Sequence, residues 1–172
     1  KVDQNMSTGV PGVYAIGDVT GKMALAHVAF AQATMVVEGL AGRETRPLEY
    51  IDLPRATYCI PQVTSFGLTE KQARDQGLKV KVGKFPFTAN GKASAVGERE
   101  GFVKLVVDER YGEILGAHLI GPEVTELLAE ISMTKLLEGT TLELGWQVHS
   151  HPTLSEAIKE AALSAQGAAI HI

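Results

Sequence analysis

The stretch FVKLVVDERYGEILGAHLIG, residues 102–121, decides the fold of most of this chain. Apolar and polar residues largely alternate at both of its ends, a pattern typical of β-strands that bury one face. The residues around Tyr111 and Gly112 interrupt the alternation and predict a tight turn. The stretch therefore predicts two antiparallel strands joined by a hairpin, in a sheet with one covered face.

Three neighbouring stretches extend this prediction. KVKVGKFPF, residues 79–87, repeats the alternation, and TYCIPQVTSFG, residues 57–67, predicts a further strand. LTEKQARDQG, residues 68–77, predicts a short helix, because Thr69 and Gln72 have the spacing of a capping box. The strands together predict an antiparallel sheet.

Two amphipathic stretches predict the helices that cover this sheet. PEVTELLAEISMTKLLEG, residues 122–139, places Pro122 in the first helical turn and one apolar face inward. The last helix repeats this pattern with small residues, which allow close approach of another helix. We therefore expect the face of Ala157, Ala161 and Ala165 to lie near a partner chain. The fold class predicted for this part of the chain is α+β.

The N-terminal part predicts a strand, a turn and a helix in that order. VPGVYAIGDV, residues 10–19, is a short apolar strand ending at Asp18, and a helical pattern begins near Ala24. The helix N-terminus would then face whatever lies beyond the strand, and its positive dipole end suits an electron-rich ring or a phosphate. Taken alone, Asp18 is more often a turn residue, and His27 more often a packed or partly exposed histidine.

A polar, proline-containing stretch separates the two parts. RETRPLEYIDLPRA, residues 43–56, predicts a domain boundary at about residues 47–52. We accordingly divide the chain into residues 1–48 and residues 49–172.

Composition and charge exclude several classes of function. With 172 residues, 45% hydrophobic and 21% charged, the chain has enough apolar material for a globular core. A net charge of −4, with 16 scattered Lys and Arg, argues against nucleic-acid binding. The charge-free stretch 23–37 is too short and too polar to predict a membrane span. Cys59 is the only cysteine, which excludes an intrachain disulfide and a cysteine-rich zinc site and favours a reducing compartment.

HSHPTLSEAIKEAA, residues 149–162, has two interpretations that share one carboxylate. Thr153 and Glu156 satisfy a capping box, and Glu156 could also pair with Lys159, so Glu156 can be purely structural. Alternatively, Glu156 orients His151 as a general base, because a carboxylate on Nδ1 fixes the tautomer and strengthens the imidazole as a base. We expect His149 to be structural or to line a channel. An HxH zinc site lacks a third ligand nearby in sequence, so we predict no metal.

Four segments together carry a resemblance to a known family. They are GVYAIGDVTGKMALAHVA, YCIPQVTSFGLTEKQARDQG, GFVKLVVDERYGEILGAHLIGPEVTELLAE and HSHPTLSEAIKEAA. In this order the chain resembles, over nearly its whole length, the C-terminal part of the dihydrolipoamide dehydrogenases in the pyridine nucleotide-disulfide oxidoreductase family. Two departures are Gln62, where an acidic residue is usual, and TTLELGWQ before the histidines. The opening KVDQNMSTG, without an initiator Met, adds to the expectation of a C-terminal fragment.

The resemblance implies a homodimeric flavoenzyme. Residues 1–48 resemble the closing strand and helix of an FAD-binding domain, and residues 49–172 resemble the dimerisation domain. By the same resemblance Asp18 binds the ribityl chain of FAD. The residues expected to approach the pyrimidine edge of the flavin, mainly through their backbone, are Ala24, Leu25, Ala26 and His27.

The resemblance also implies a reaction and partners. His151 and Glu156 would accept a proton from dihydrolipoamide across the dimer interface, and electrons would pass through a redox disulfide and FAD to NAD. The implied partners are a lipoyl-bearing acyltransferase of a 2-oxoacid dehydrogenase complex or a glycine cleavage carrier protein. The implied compartment is the bacterial cytoplasm or the mitochondrial matrix.

Missing motifs limit what the chain can do alone. It has no G-x-G-x-x-G loop and no paired cysteines, so we expect it to be inactive without further domains. The alternatives are a glutathione-type or mercuric reductase, or an isolated dimerisation module. Mercuric reductase is disfavoured because the C-terminus, AQGAAIHI, lacks vicinal cysteines.

Overall fold

The computed structural model describes residues 1–172 and divides into two compact units, Lys1–Leu53 and Pro54–Ile172. The first unit is built around helix α1, Ala26–Leu40, whose N-cap residue Leu25 provides no side-chain cap. The helix thus begins two residues after the predicted start near Ala24. No helix anywhere in the chain has the length and apolar character needed to cross a lipid bilayer.

The residues before α1 differ from the predicted strand. Tyr14 forms a single antiparallel bridge with Ser7, and Gly17–Thr20 forms a 3-10 turn. An extended segment needs neighbouring strands to satisfy its N–H and C=O groups, and the first unit contains no sheet. The segment is therefore held by other contacts.

A buried glutamine supplies one of these contacts. Gln32 on α1 is fully buried; its Oε1 accepts a hydrogen bond from the Gly17 N–H at 2.6 Å. Its Nε2 donates to the Tyr50 hydroxyl at 2.9 Å. Burial of an amide requires such partners, so Gln32 fixes the turn that carries Asp18 against α1.

The second unit contains one antiparallel sheet of five strands in the order β1-β2-β5-β4-β3. The predicted hairpin over residues 102–121 is confirmed, with Leu105 opposite Ala117, and Asp108 Oδ1 accepts hydrogen bonds from two N–H groups in its turn. The single strand predicted over 57–67 is divided in two, with a cis peptide bond between Ile60 and Pro61 in the interruption. The strands are β1 Arg55–Thr57, β2 Gln62–Gly67, β3 Val80–Pro86, β4 Phe102–Asp108 and β5 Ile114–Gly121.

Helices cover both faces of this sheet. Helix α2, Glu70–Asp75, packs on one face, where its Ala73 meets Val106, and the predicted capping box of Thr69 and Gln72 is confirmed. The other helices follow in the order α3 Gly91–Val96, α4 Val124–Leu136, α5 Thr141–Trp146 and α6 Glu156–Ala165. The main core lies between these helices and the other face of the sheet.

Helices α3 and α5 were not predicted, and α4 begins later than expected. Glu123 adopts a left-handed conformation, with φ of 50°, immediately before α4. Pro122 therefore lies outside the helix and not in its first turn. The predicted inward face of α4 is confirmed, since Val124, Leu128 and Ile131 are buried in the core.

The alanine face of α6 was assigned to the wrong partner. Ala157 and Ala161 are fully buried within this chain, and Ala165 is nearly so. They belong to the main core, and α6 packs against β3 and β4. The small side chains do permit close packing, but they bring α6 close to the sheet of the same chain and not to a helix of a partner chain. This face is not available to a partner chain.

Candidate functional site

A loop between α5 and α6 carries the two histidines singled out from the sequence. Both line a cleft of about 400 Å³ in the second unit. The other lining residues come from β3, the α3 region, the same loop, α6 and the C-terminal segment: Phe85, Ala89, Asn90, Gly91, Val148, Glu156, Lys159, Glu160, Ile170 and His171. The cleft thus gathers residues that are distant in sequence.

His151 and Glu156 form the pair that the sequence predicted. His151 Nδ1 lies 2.9 Å from Glu156 Oε1, and the side chain of His151 is 77% exposed. Because Nδ1 faces the carboxylate, the neutral ring carries its proton there and leaves Nε2 as the basic nitrogen. The arrangement is suited to general-base chemistry at the mouth of the cleft.

The capping box predicted for Thr153 and Glu156 is only half formed, because the N-cap residue of α6 is Ser155 and Thr153 Oγ1 donates to the Ser150 carbonyl. Glu156 nevertheless serves both the loop backbone and His151, with a different oxygen for each. Oε1 faces His151, whereas Oε2 accepts a hydrogen bond from the Thr153 N–H at 2.8 Å. Burial opposes ionisation of this carboxyl group, but the Thr153 N–H and the His151 ring outweigh it and lower the pKa of Glu156. The predicted pairing with Lys159 is not formed. Glu156 is therefore favoured as a carboxylate. It contacts the His151 ring with one oxygen and holds the loop backbone at Thr153 with the other.

Further hydrogen bonds hold the loop around His151. Asn90, which is buried, donates from Nδ2 to the Thr153 carbonyl at 3.0 Å and accepts from the Ala93 N–H at 2.9 Å. Thr153 Oγ1 donates to the Ser150 carbonyl at 2.8 Å. The peptide bond between His151 and Pro152 is cis. The start of α3 thus supports the C-terminal side of the loop.

His149 forms a second, buried histidine–carboxylate pair. Its Nε2 lies 2.7 Å from Oε1 of Glu130 on α4, and only 6% of its side chain is exposed. The hydrogen bond that His149 donates to the Glu130 carboxylate raises the pKa of His149; burial opposes this effect, and the Gln147 backbone adds to it. The sequence analysis did not predict this pair, because 19 residues separate Glu130 from His149 and leave no local signal.

A third pair, which the sequence did not predict, closes another side of the cleft. Glu160 is buried on α6 and accepts hydrogen bonds from the backbone N–H groups of Ile170 and His171 at 3.0 and 3.1 Å. Its other oxygen lies 2.9 Å from His171 Nδ1. Burial opposes ionisation, but these donors outweigh it and lower the pKa of Glu160. Glu160 thus fastens the C-terminal segment beside the cleft.

The residues predicted to contact a cofactor all lie in the first unit. Asp18 is exposed in the 3-10 turn, and the exposed Ala24 precedes α1. Leu25 is the N-cap residue of α1, and Ala26 and His27 form its first turn. The N-cap residue makes no side-chain hydrogen bond to this helix end, and the same unit carries the Asp18 carboxylate together with the backbone N–H groups of the first turn. These groups fit the hydroxyl groups and electron-rich ring edge of a flavin.

The structure contains no group of three or more His, Cys, Asp or Glu side chains suited to a metal ion. Each histidine of the cleft faces a different carboxylate, and Cys59 is an exposed free thiol. The donor atoms are therefore arranged in proton-sharing pairs.

Two family models match the chain. The model of the pyridine nucleotide-disulphide oxidoreductase dimerisation domain covers residues 53–162. The model of the pyridine nucleotide-disulphide oxidoreductases covers residues 1–33. Together they match both units in the order that the sequence resemblance implied.

Curated relatives give the same family. The chain is 56% identical over 160 residues to the dihydrolipoyl dehydrogenase of Mycobacterium leprae, which covers 92% of the chain and 34% of that relative. It is 48% identical over 171 residues to the dihydrolipoyl dehydrogenase of Bacillus subtilis, covering 99% of the chain and 36% of the relative. The chain spans about a third of the length of the curated relatives that it matches.

Solved structures share the fold. The crystal structure of LpdA from Mycobacterium tuberculosis superposes with a TM-score of 0.88 and 26% identity, over 94% of this chain and 35% of that one. The flavoprotein disulfide reductase RclA from Escherichia coli, described as HOCl-induced, gives a TM-score of 0.85 and 27% identity, over 92% and 37%. The predicted fold class, an antiparallel sheet covered by helices and preceded by a piece of a second domain, is confirmed.

Proposed function

Because the chain belongs to the pyridine nucleotide-disulfide oxidoreductase family, we propose that it is the C-terminal part of a dihydrolipoamide dehydrogenase. In this role it supplies a dimer interface and a histidine base. The observation that carries the proposal is the pairing of His151 Nδ1 with Glu156 Oε1 at 2.9 Å on an exposed imidazole. The high identity to dihydrolipoyl dehydrogenases over nearly the whole chain supports the substrate class.

The proposed step is removal of a proton from a substrate thiol. A thiol with an unperturbed pKa of about 8.5 is mostly protonated at neutral pH, so a base within reach increases the nucleophilic thiolate fraction. His151 Nε2 accepts the proton, and Glu156 stabilises the positive charge that forms on the ring. The exposure of His151 allows it to serve a substrate bound mainly by another subunit.

The proposed cofactors are FAD and NAD, which we expect to need domains beyond this chain. When bound, the flavin provides two-electron transfer between the dithiol and the nicotinamide. Asp18 and the N-terminus of α1 are the groups of this chain that would contact the flavin, through a carboxylate and backbone N–H groups. The division into an FAD-domain piece, residues 1–48, and a dimerisation domain, residues 49–172, is part of this proposal.

The proposed assembly is a homodimer. The match to a dimerisation domain supports it, and so do exposed apolar side chains in the second unit. They are concentrated at the end of α4, in α5 and just after it: Met133, Leu136, Leu137, Trp146 and Val148. The proposed partners of the complete enzyme are a lipoyl-bearing acyltransferase or a glycine cleavage carrier protein, in a bacterial cytoplasm or a mitochondrial matrix.

The test replaces His151 by Gln in the complete enzyme. General-base catalysis typically contributes about 10²- to 10⁴-fold, so turnover of dihydrolipoamide should fall within that range while flavin content stays normal. His171→Gln is the matched control, because it removes another exposed imidazole that lines the same cleft and faces a glutamate. Near-normal turnover of the His151 variant, or an equal loss in the control, would reject the assignment.

A further inference from the structure

The loop that carries His151 is tied to the rest of the fold unevenly. On its C-terminal side, the Thr153 carbonyl and N–H are bound by Asn90 and Glu156. On its N-terminal side, Val148 is 84% exposed and Ser150 is also exposed. Among residues 148–152, only His149 has a side-chain hydrogen bond to an element other than α6, through Glu130 on α4.

We propose that Glu130 and His149 are positioning residues, which hold the N-terminal side of the loop so that the His151 ring stays against Glu156. The inference rests on the proposed function only for its effect on catalysis. Its structural part follows from the geometry. Only Ser150 lies between the buried His149 and the exposed His151, so a displacement of His149 is passed directly to His151.

Burial of the His149 ring makes its contact with Glu130 suitable for holding the loop in place. The side chain of His149 is 6% exposed, and its Nε2 lies 2.7 Å from the Glu130 carboxylate. Its Nδ1 is buried without a hydrogen-bond partner of good geometry, so Glu130 is the main polar contact of the ring. Buried ion pairs often add little net stability, but removing one partner leaves an uncompensated polar group and displaces the other. We therefore expect the Glu130–His149 pair to fix the position of the loop more than it raises the free energy of unfolding.

The charge on His149 also acts on the Glu156 carboxylate. His149 helps to lower the pKa of Glu156, while the Lys159 ammonium, on the same helix as Glu156, opposes protonation of His149. Glu130, Glu156 and Lys159 are thus the charged groups that act on this ring from α4 and α6. Loss of Glu130 therefore has two effects: the loop can move, and the charge on His149 that acts on Glu156 is no longer favoured.

The first measurement observes the His151 ring itself and needs no turnover. The chain has five histidines, so selective ¹⁵N labelling of histidine gives a tractable long-range nitrogen spectrum. In the wild-type chain, neutral His151 should show one tautomer with the proton on Nδ1. In Glu130→Ala the acceptor for His149 is removed and the loop is released, so His151 should show mixed tautomers or a shifted Nδ1 signal. Glu70→Ala, which breaks an ion pair with Lys104 on the opposite side of the sheet, is the control and should leave His151 unchanged.

The second measurement uses turnover by the complete enzyme. Misplacement of a catalytic group by about 1 Å can cost roughly 10²-fold, so kcat should fall about 10- to 100-fold in Glu130→Ala, with KM changed less than about twofold. Glu130→Gln and His149→Gln are the conservative variants, because either amide can keep a hydrogen bond between positions 130 and 149; both should keep kcat within about threefold. His149→Ala should behave like Glu130→Ala.

The outcomes separate this inference from the proposed function. An unchanged His151 spectrum in Glu130→Ala overturns the positioning role, and so does a kcat in that variant equal to wild type while His151→Gln is impaired. If His151→Gln retains full turnover, the proposed function fails, and the nitrogen spectra alone decide whether the pair positions the ring. Should Glu130→Ala not fold, His149→Ala and His149→Gln give the same comparison.

Discussion

Gly83 on β3 lies so close to the Ala161 carbonyl of α6 that a Cβ atom at position 83 would overlap the carbonyl oxygen. The same Cβ would come within 2.9 Å of two atoms of Ala165. The close approach of helix and strand therefore requires glycine on one side and alanine on the other. This packing fixes α6, and with it Glu156, relative to the sheet.

Gly83→Ala should consequently be strongly destabilising. The backbone atoms in its way cannot rotate aside, so α6 must move, and overpacking of this kind typically lowers stability by about 1–3 kcal/mol. Thermal unfolding should show a lower melting temperature. Gly39→Ala in α1 is the control, because a Cβ there meets only ordinary contacts at 3.9 Å or more, and alanine favours a helix by about 1 kcal/mol. Equal melting temperatures for Gly83→Ala and wild type would contradict the packing argument.

The misassigned face of α6 shows what helical periodicity can and cannot predict. Spacing of three and four residues identified the buried stripe correctly, because burial of one face is what periodicity measures. It carried no information on which element covers the stripe. Gly83 was an available signal, since glycine inside a strand often marks a close approach of another backbone.

The candidate site was predictable only where its contacts are local. His151 and Glu156 are five residues apart, and their pairing followed from the sequence. Glu130–His149 spans 19 residues and Asn90–Thr153 spans 63, so only the folded sheet and its helices bring them together. Helix α5 was missed although Thr140 and Glu143 form a capping box whose T-x-x-E spacing is visible in the sequence.

The exposed apolar side chains near α5 should mediate self-association. Trp146 is 69% exposed and Leu137 is 74% exposed, a costly arrangement for an isolated chain. Trp146→Lys and Leu137→Lys should each weaken dimerisation of the complete enzyme at least tenfold, measured by sedimentation equilibrium. Leu78→Lys, next to α2 on the opposite face of the sheet, is the control. Dimers of unchanged affinity in both α4–α5 variants would exclude this surface.

The clamp formed by Glu160 should make stability depend on pH. Its pKa is lowered in the folded chain, so its contribution is present above the unfolded value and is lost as the pH falls through the folded value. Glu160→Gln should cost roughly 1–3 kcal/mol at pH 7, because charged acceptors of two N–H groups and an imidazole are lost. The difference from wild type should therefore be smaller at pH 3 than at pH 7.

Glu126→Gln on α4 provides the control for this clamp, since Glu126 is exposed and makes no such contacts. It should leave the melting temperature unchanged at both pH values. A destabilisation by Glu160→Gln that is as large at pH 3 as at pH 7 would show that packing, and not the carboxylate charge, holds the C-terminal segment.

Glu156→Gln should separate the two uses of the Glu156 carboxylate, because an amide has one acceptor oxygen where the carboxylate has two. Oε2 is needed by the Thr153 N–H and Oε1 faces His151 Nδ1. If the amide oxygen keeps the backbone N–H, the NH₂ group must point at His151 Nδ1, which then becomes an acceptor. The imidazole proton moves to Nε2, the nitrogen that would otherwise accept the substrate proton.

The melting temperature of Glu156→Gln should thus change little, while its turnover falls about 10- to 100-fold. This loss is smaller than in His151→Gln, since a fraction of the His151 rings still adopts the active tautomer. Nitrogen spectra of labelled histidine would show the tautomer directly, and an Nδ1-protonated His151 with normal turnover in Glu156→Gln would refute the orienting role. Glu156→Ala, which removes both oxygens, should lower the melting temperature as well as the rate.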